Sequence, residues 1–284
     1  MKSVAHFDTL KNNLFGHFDA VLGSRWAAER IAALEAGIDA GALLAEHFRC
    51  PQAIKSKGGK DFATQVDIEA ESIVQDTVAR HFPSHGFWGE ERGRHGQAEA
   101  QWLIDPIDGT FNYAFGLPYF AVSIALVIKG SPVVAVVFDP YHGELFFAQR
   151  GGGAWLNTES IRVSSRPKLE EAIVYQDFSY DVAEQLSSLE LMKRLMPHVR
   201  SLRVLGSAAL GLAYVACGRL DAFFHYGLNP WDWAGGGLLV QEAGGQVTDT
   251  RGAPQGFAKK LQDVAATNGL IHNALLSFLS GMVK

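Results

Sequence analysis

Two adjacent apolar runs place the strongest constraint on how this chain folds. Residues Ala121–Ile128 and Val133–Phe138 are rich in β-branched side chains, and the short segment between them contains Gly130 and Pro132. Such residues favour extended strands, and a short connection with Gly and Pro favours a chain reversal. The runs therefore predict a β-hairpin near the middle of the sequence. Each run is far shorter than the roughly 18 apolar residues of a membrane-spanning helix, so no membrane span is predicted.

The hairpin belongs to a first half that predicts two helices followed by an antiparallel meander. Its other predicted elements are helices over Trp26–Phe48 and Asp67–Phe82, a polar turn over Lys55–Lys60, and strands over Trp102–Asp105, Glu144–Arg150 and Ala154–Asn157. In the second half the predicted strands are Ala172–Gln176, Arg203–Leu205, Asp221–Phe224 and Gln246–Asp249, and the predicted helices are Asp181–Met196, Ala208–Ala216 and Trp231–Ala243. Strands that alternate with helices are typical of a mixed or parallel sheet covered by helices.

The length of the chain, 284 residues, predicts one large domain or two closely packed ones. No Ser/Gly/Pro-rich linker and no internal repeat divides it. We expect a lead-in over residues 1–25, an N-terminal α+β half over residues 26–165 and a C-terminal α/β half over residues 166–284. The lead-in carries no chemical signal, and it is either an oligomer contact or a frayed tail.

Charge and cysteine content exclude several classes of protein. The chain has 25 Lys and Arg against 30 Asp and Glu, a net charge of −5, and its basic residues are scattered. A nucleic-acid-binding protein usually presents a basic face, so no nucleic-acid partner is predicted. The N-terminus lacks the apolar core of a secretory signal, and Cys50 and Cys217 form no CxxC pair. Together these features predict a cytoplasmic protein.

The most informative motif is Trp102–Thr110, in which a hydrophobic strand runs directly into two carboxylates. Pro106 disfavours helical backbone at Asp105, so Asp105 stays extended at the strand end, and Asp108 returns to the same side after the turn. Gly109 lets the backbone approach a ligand closely. Paired carboxylates suit a hard divalent cation such as Mg²⁺. The whole string therefore favours a metal site over an ordinary Asp-Gly turn.

Two further acidic positions echo this pattern. Glu90 and Glu91 follow an apolar pair, and the alternative interpretation there is solvated surface charge. Asp232 lies between two tryptophans just after Pro230, where the alternative is a carboxylate that only stabilises a helix N-terminus. A carboxylate flanked by two tryptophans is nevertheless expected to be partly buried, and it then needs a partner or a metal.

Together these strings resemble the inositol monophosphatase family of Mg²⁺-dependent, lithium-sensitive phosphatases, from about Trp26 to the C-terminus. The matching strings are Asp61–Asp67, Gly89–Glu91, Asp105–Thr110, Val137–Pro140 with Glu144–Phe146, Gly206–Ala209 and Trp231–Asp232. The resemblance implies a layered α/β fold, namely a five-layer α/β/α/β/α sandwich of the inositol monophosphatase / fructose-1,6-bisphosphatase type, often as a homodimer. It also implies hydrolysis of a small phosphate ester by attack of a metal-activated water on phosphorus.

The resemblance also implies a set of metal ligands. Glu90, Asp105 and the carbonyl of Ile107 would bind the first Mg²⁺. Asp105, Asp108 and Asp232 would bind the second. A third, more loosely held ion is expected near Glu90, and Mn²⁺ is expected to substitute for Mg²⁺.

The catalytic and substrate-binding residues follow from the same resemblance. Asp67 and Thr110 would orient and deprotonate the attacking water, and Glu90 is a third catalytic residue. Asp67 is also suited to cap the helix that follows it, and one carboxylate oxygen cannot easily serve both roles. The predicted substrate-binding group is Asp108, Gly109, Thr110, Ser207, Ala208 and His225. Lys57 and Glu91 are further candidates beside the site.

The sequence departs from the family at His225, seven residues before Asp232, where many members carry a Glu that binds substrate hydroxyls. A neutral His offers one donor and one acceptor, whereas a protonated His suits an anionic group, and a His that only fills the pocket rim is a third possibility. Inositol phosphate is therefore one candidate substrate among several.

The alternatives within the family are a histidinol-phosphatase, a fructose-1,6-bisphosphatase and a 3′,5′-bisphosphate nucleotidase. The nucleotidase ranks lower, because Phe111–Tyr113 follows Thr110 where such members usually have a Lys. An alternative from another class is a regulatory binding protein on the same scaffold, since some family members contact the transcription machinery.

Overall fold

A computed structural model of the protein describes residues 4–50, 54–58, 61–96, 98–179, 181–257 and 261–279. Its helices are α1 (Val4–Leu22), α2 (Ala27–His47), α3 (Gln65–His81), α4 (Thr110–Ala114), α5 (Val182–Leu195), α6 (Ala208–Ala216), α7 (Pro230–Glu242) and α8 (His272–Leu279). Its strands are β1 (Ile54–Gly58), β2 (Asp61–Thr64), β3 (Gly86–Gly89), β4 (Gly93–His95), β5 (Ala100–Asp108), β6 (Ala121–Ile128), β7 (Ser131–Asp139), β8 (Glu144–Gln149), β9 (Gly153–Leu156), β10 (Glu159–Ile161), β11 (Ile173–Gln176), β12 (Ser201–Arg203), β13 (Ala222–Leu228), β14 (Gln246–Thr248) and β15 (Gln262–Thr267).

The larger sheet is built around the predicted hairpin, which is confirmed as the antiparallel pair β6 and β7. Its strand order is β10-β9-β8-β7-β6-β5-β3-β4. Neighbouring side chains of a strand point to opposite faces, and both faces of this sheet are covered. Leu145 and Phe147 of β8 pack on the side of α1, α2 and α3. Phe146 and Ala148 of the same strand pack on the side of α6 and α7.

The smaller sheet has the strand order β12-β11-β13-β15-β14 and is mixed, with β11 parallel to β12 and β13. One of its faces, which includes Tyr175 and Phe223, packs against α6 and α7. The other face, which includes Val174 and Phe224, packs against α5 and α8. The layers therefore run helices, large sheet, helices, small sheet, helices. This arrangement confirms the five-layer α/β/α/β/α prediction.

Two sequence predictions of local structure are wrong. The polar turn predicted over Lys55–Lys60 is strand β1 from Ile54 to Gly58, with residues 59 and 60 outside the described residues. Its five side chains are all exposed, so no alternation of apolar residues marked it as a strand. The strand predicted over Arg203–Leu205 ends at Arg203, because the Leu205 amide donates to Asp177 rather than to a sheet partner.

Several elements carried no recognised signal in the sequence. These are β2, β3, β4, β10, β15 and α8. Strands β3 and β4 are only four and three residues long, which is too short for a readable period. Among the described residues, no helix is long and apolar enough to cross a membrane.

The lead-in is a packed helix rather than a frayed tail. Leu14 and Phe18 of α1 are fully buried in the core beneath the large sheet. The buried guanidinium of Arg30 on α2 donates to Asp19 at 3.0 Å and to the carbonyl of Gly23 at 3.3 Å, and a second nitrogen donates to Gln149 at 3.0 Å. These contacts tie the connection between α1 and α2 to the sheet.

Replacing Phe18 with Ala is expected to destabilise the protein by about 3–5 kcal/mol, because the change leaves a cavity where a phenyl ring packs against Phe147 and Trp155. Val21 on the same helix is 47% exposed, so Val21→Ala should change stability by no more than about 0.5 kcal/mol. Urea unfolding of both variants measures the difference. Equal stabilities would mean that α1 is not docked as described.

Candidate active site

Strand β5 positions two of the predicted carboxylates. The strand continues past Asp105 to Asp108, and its pairing with β6 is irregular between these two residues. The amide of Ile107 donates to Asp105 Oδ1 at 3.1 Å, which closes a turn around Pro106. Both carboxylates are buried, Asp105 at 3% and Asp108 at 8% exposure. The irregularity thus brings two acidic side chains into the interior.

The carboxylate of Asp108 joins the two halves of the chain. Ser207 Oγ and the amide of Ala209, the latter at 2.7 Å, donate to Asp108 Oδ2. The amide of Ala208 donates to Oδ1 at 3.2 Å. Ser207 is also the N-cap residue of α6, where it accepts from the amide of Leu210. The predicted group Asp108, Ser207 and Ala208 is therefore brought together.

Gly109 packs closely against backbone atoms from both halves of the chain. Its φ is +99°, and an added Cβ would stand 3.0 Å from the carbonyl oxygens of Gly206 and Tyr119. A side chain at this position would be strained in conformation and would also push the halves apart. The backbone around Gly109 therefore requires glycine.

Asp67 uses its two oxygens for two different contacts. Oδ2 accepts from the amide of Thr64 at 2.7 Å and from the Thr64 hydroxyl at 2.5 Å, which completes a capping box at the start of α3. Oδ1 faces Thr110, whose hydroxyl lies 3.2 Å away and also lies 2.9 Å from the carbonyl of Ile107. The expected conflict between capping and catalysis is absent, because each role has its own oxygen.

Glu90 and Glu91 follow β3 and face a lysine. Lys57 Nζ donates to Glu90 Oε1 at 2.7 Å and to Glu91 Oε1 at 2.5 Å. Burial lowers the pKa of Lys57, but the charges of Glu90 and Glu91 outweigh burial and raise it above its usual value. Lys57 is thus a positive charge at the acidic group, and Glu91 is not merely solvated surface charge.

Asp232 is the third residue of α7 and forms a capping box with Asn229 at the start of that helix. Its Oδ2 accepts from the amide of Asn229 at 2.7 Å, and the Asn229 side chain caps the helix in return. Asp232 therefore does stabilise the N-terminus of α7, which was the alternative interpretation of this residue. The charges of Glu90 and Asp108 add to the effect of burial in raising the pKa of Asp232, which indicates that these carboxylates lie near it.

Burial of these acids makes their ionised forms unfavourable. Burial, followed by the charge of Glu90, raises the pKa of Asp105 and of Asp232 well above the usual range. Burial raises the pKa of Asp108 to about 7 in spite of its three donors, and that of Asp67 to about 6. Burial also raises the pKa of Glu91 to about 7. The group needs either protons or cations to balance its charge.

The donors in this group are chemically suited to Mg²⁺, which prefers carboxylate and carbonyl oxygens. In the described part of the chain, however, no group of three or more His, Cys, Asp or Glu side chains stands in an arrangement that could hold a metal ion. Several of the oxygens already have other partners: Glu90 accepts from Lys57, and Asp232 accepts from Asn229. A cation that binds through Glu90 would have to displace the Lys57 ammonium.

Comparison with known proteins identifies the family of this chain. The model of the inositol monophosphatase family matches residues 26–281. The chain belongs to the inositol monophosphatase family.

Its relatives include proteins named as Nus factors and a protein named as a phosphatase. The chain is 44% identical over 225 residues to Nus factor SuhB of Salmonella typhimurium, a match that covers 78% of this chain and 84% of SuhB. It is 38% identical over 249 residues to a fructose-1,6-bisphosphatase/inositol-1-monophosphatase of Thermotoga maritima, covering 86% and 93% of the two chains. The solved structure of SuhB from Bartonella henselae has a TM-score of 0.84 at 36% identity and covers 89% of this chain and 98% of that one.

His225, the departure from the family pattern, lies on β13 and is 7% exposed. Strand alternation places it on the same face as Phe223, the face that packs against α6 and α7. Within the part of the chain that the structure describes, its Nδ1 atom has no hydrogen-bond partner. Burial lowers the pKa of His225 to about 4, so the ring is neutral at pH 7. A protonated His that contacts an anionic group is therefore disfavoured.

The motifs do not mark four polar residues that support the site. Glu71 accepts from the amides of Glu91 at 2.8 Å and Arg92 at 3.1 Å, and so fixes the segment that carries Glu90. Its position four residues after Asp67 on α3 was the available signal, because residues so spaced share a helix face. The other three residues, Asn112, Tyr175 and Asp177, surround the turn that leads into α6.

Proposed function

We propose that this family member is a Mg²⁺-dependent phosphomonoesterase that hydrolyses a small phosphorylated polyol or sugar. The observation that carries the proposal is the acidic group of Asp105, Asp108 and Asp232 with the Asp67–Thr110 pair beside Asp105 and Asp108. Asp108 and Asp232 have structural hydrogen bonds, but placing three carboxylates close together in the interior is unfavourable unless protons or cations balance their charge. The printed name of the Thermotoga maritima relative supports phosphatase chemistry.

We propose the metal ligands that the sequence predicted; binding would require these side chains to turn toward the ion, because no three of them form a metal site as they stand in the described residues. Glu90, Asp105 and the Ile107 carbonyl would hold one Mg²⁺, and Asp105, Asp108 and Asp232 a second, with a third ion near Glu90. When bound, Mg²⁺ supplies polarisation of the phosphoryl oxygens and a lower pKa for water. Lys57 balances part of the negative charge of Glu90 and Glu91.

Thr110 and Asp67 form the proton path of this proposal. The Thr110 hydroxyl accepts a hydrogen bond from the attacking water and donates its own proton toward Asp67 Oδ1. Oδ2 of Asp67 is occupied by Thr64, so the carboxylate is held in one orientation. This rigidity suits a general base, because proton transfer depends on a fixed donor–acceptor geometry.

The substrate phosphate would lie over the turn between β5 and α4. The amides of Gly109 and Thr110 would donate to phosphate oxygens, and Gly109 would permit close approach of the phosphate. Asp108, Ser207 and Ala208 border the same space. Little covalent chemistry is required of such a protein, so positioning and charge stabilisation carry the rate.

The leaving group is expected to meet His225. A neutral ring with a free Nδ1 atom fits one hydroxyl or amine of a polyol or sugar, whereas a Glu carboxylate accepts from two hydroxyls. His225→Glu is therefore expected to raise kcat/KM for inositol 1-phosphate by about tenfold, the worth of one additional hydrogen bond of about 1 kcal/mol or slightly more. Unchanged ratios between esters in the variant would remove His225 from substrate recognition.

Phosphate release from four esters tests which substrate is used. The esters are inositol 1-phosphate, histidinol phosphate, fructose 1,6-bisphosphate and adenosine 3′,5′-bisphosphate, each assayed with Mg²⁺ and with EDTA. Release that requires Mg²⁺ supports the proposal, and the order of kcat/KM identifies the ester. Failure with all four, in folded protein that binds Mg²⁺, would favour the binding function below.

Other properties belong to the same proposal. We expect Mn²⁺ to substitute for Mg²⁺, lithium to inhibit, the chain to form a homodimer and the protein to act in the cytoplasm. Sedimentation of the purified protein and Li⁺ titration of the Mg²⁺-supported rate test the dimer and the inhibition.

A second candidate function is a regulatory binding role on the same scaffold. It is favoured by the printed name Nus factor of the SuhB relatives. The net charge of −5 gives no sign of a basic face for nucleic acid, so a protein partner suits the chain better. If Asp67→Asn restores growth as well as wild type in a strain that lacks the protein, the binding role is the physiological one.

A further inference from the structure

The turn formed by Leu205, Gly206 and Ser207 connects β12 with α6 and supplies the donors that hold Asp108. Its central residue has a φ of +87°, and an added Cβ would stand 2.8 Å from Asn112 Nδ2. A turn in this conformation offers several amides and carbonyls that no helix or strand satisfies. The hydrogen-bond partners of those amides and carbonyls therefore determine the geometry at Asp108.

The amides of the turn are held by β11. The amides of Gly206 and Ser207 each donate to the Tyr175 hydroxyl oxygen at 3.0 Å. The amide of Gly206 also donates to Asp177 at 3.0 Å, and that of Leu205 donates to Asp177 Oδ1 at 3.2 Å. The Tyr175 hydroxyl in turn donates to Asp177 Oδ2. The side chains of Tyr175 and Asp177 thus accept hydrogen bonds from all three amides of the turn.

The carbonyls of the turn are held from the opposite side, by α4. Asn112 Nδ2 donates to the carbonyl of Leu205 at 2.7 Å and lies 3.2 Å from that of Gly206. Asn112 stands two residues after Thr110, on the helix that follows the β5 carboxylates. The turn is therefore clamped between an element of the first half and an element of the second.

Packing alone does not explain these polar groups. The Tyr175 ring stacks on Phe223 at 5.3 Å and touches Gly211, and a Phe would fill the same space. Asp177 is only half-buried, and its carboxylate accepts from the amides of Leu205 and Gly206. The common effect of these hydrogen bonds is to fix the amides and the hydroxyl that reach Asp108.

We propose that Tyr175 and Asp177 are positioning residues for Asp108: they orient the 205–207 turn so that Ser207, Ala208 and Ala209 present the Asp108 carboxylate to a divalent cation. The inference rests on the proposed function, since it assumes a cation at Asp108. Residues that orient metal ligands typically change metal affinity or activity 10–100-fold when they are altered.

Direct binding of Mn²⁺ to the full-length protein, followed by electron paramagnetic resonance, tests the proposal without an activity assay. Tyr175→Phe is expected to weaken binding at least about tenfold, and Asp177→Asn similarly. Tyr226→Phe is the matched control, because Tyr226 is buried in the same sheet and its hydroxyl has no hydrogen-bond partner among the described residues. The control should bind Mn²⁺ as wild type does. Wild-type affinity in both Tyr175→Phe and Asp177→Asn would overturn the inference.

A double-mutant comparison separates positioning from general loosening. In an Asp108→Asn background, Tyr175→Phe should weaken Mn²⁺ binding no further, because its effect passes through Asp108. An additive loss would overturn the inference. Hydrogen exchange of the metal-free protein gives a second readout, in which the amides of Ser207–Ala209 should exchange faster in Tyr175→Phe and unchanged exchange would contradict it. Wild-type protein that binds no Mn²⁺ would instead refute the proposed function, and the exchange result would still decide the inference.

Discussion

Asp67→Asn is expected to lower turnover about 10²–10⁴-fold and to leave divalent-cation affinity close to that of wild type, the range for loss of a general base. The amide has the size of the carboxylate, so its oxygen can keep accepting from Thr64 and preserve the cap of α3. The amide nitrogen would then face Thr110 and donate to its hydroxyl oxygen. That hydroxyl could no longer pass a proton toward position 67. Steady-state kinetics together with Mn²⁺ binding measure the two effects.

Thr64→Ala is the matched control for this variant. It removes one of the two donors to Asp67 Oδ2 and leaves the Oδ1 side facing Thr110 intact. The control should lose about 1 kcal/mol of stability, as helix caps do, and keep most of its turnover. Wild-type turnover in Asp67→Asn would exclude Asp67 from the chemistry. Equal losses of turnover in both variants would assign the effect to the cap.

Mg²⁺ is expected to stabilise the protein far more at pH 8 than at pH 5. Asp67, Asp108 and Glu91 have raised pKa values of about 6, 7 and 7 in the folded state, against ordinary values near 4 in the unfolded chain. The folded state therefore binds these protons more tightly, and the stability they contribute is lost as the pH rises through about 6–7. In EDTA the melting temperature should fall between pH 5 and pH 8.

Bound Mg²⁺ replaces those protons as the balancing charge. At a concentration of 100 times its Kd it adds about 2.7 kcal/mol, so the decline seen in EDTA should largely disappear at pH 8. Thermal unfolding at several pH values, with and without Mg²⁺, measures both curves. Asp108→Asn should flatten the EDTA curve because it removes one of the titrating groups. A melting temperature in EDTA that rises from pH 5 to pH 8 would contradict this account of the acidic group.

The acidic centre of the site could be predicted from sequence because its residues are local. Asp105, Asp108 and Thr110 lie within one strand and turn, where Pro106 and Gly109 restrict the backbone. The five-layer fold followed from the family resemblance, and the hairpin from β-rich runs. Asp232 was found because tryptophans flank it. Each of these signals is contained in a short stretch of chain.

The clamp around the 205–207 turn could not be predicted in the same way. Tyr175 and Asp177 are alternate residues of a short strand, a pattern that gives a shared face but not the loop that this face meets. Strand β1 was missed because all of its side chains are exposed. The docking of α1 depends on Arg30, whose guanidinium reaches residues far along the chain. Such long-range contacts leave no local period.

We propose that the carboxylates of this site and Mg²⁺ together hydrolyse a phosphate ester. Phosphate release from the four esters by wild type and by Asp105→Asn, across a Mg²⁺ titration and in EDTA, tests it most directly. We predict that wild type hydrolyses at least one ester, that EDTA abolishes release, that Mg²⁺ restores it, and that Asp105→Asn requires far more Mg²⁺ and remains slow. Release that persists in EDTA, or wild-type Mg²⁺ dependence in Asp105→Asn, would contradict the claim.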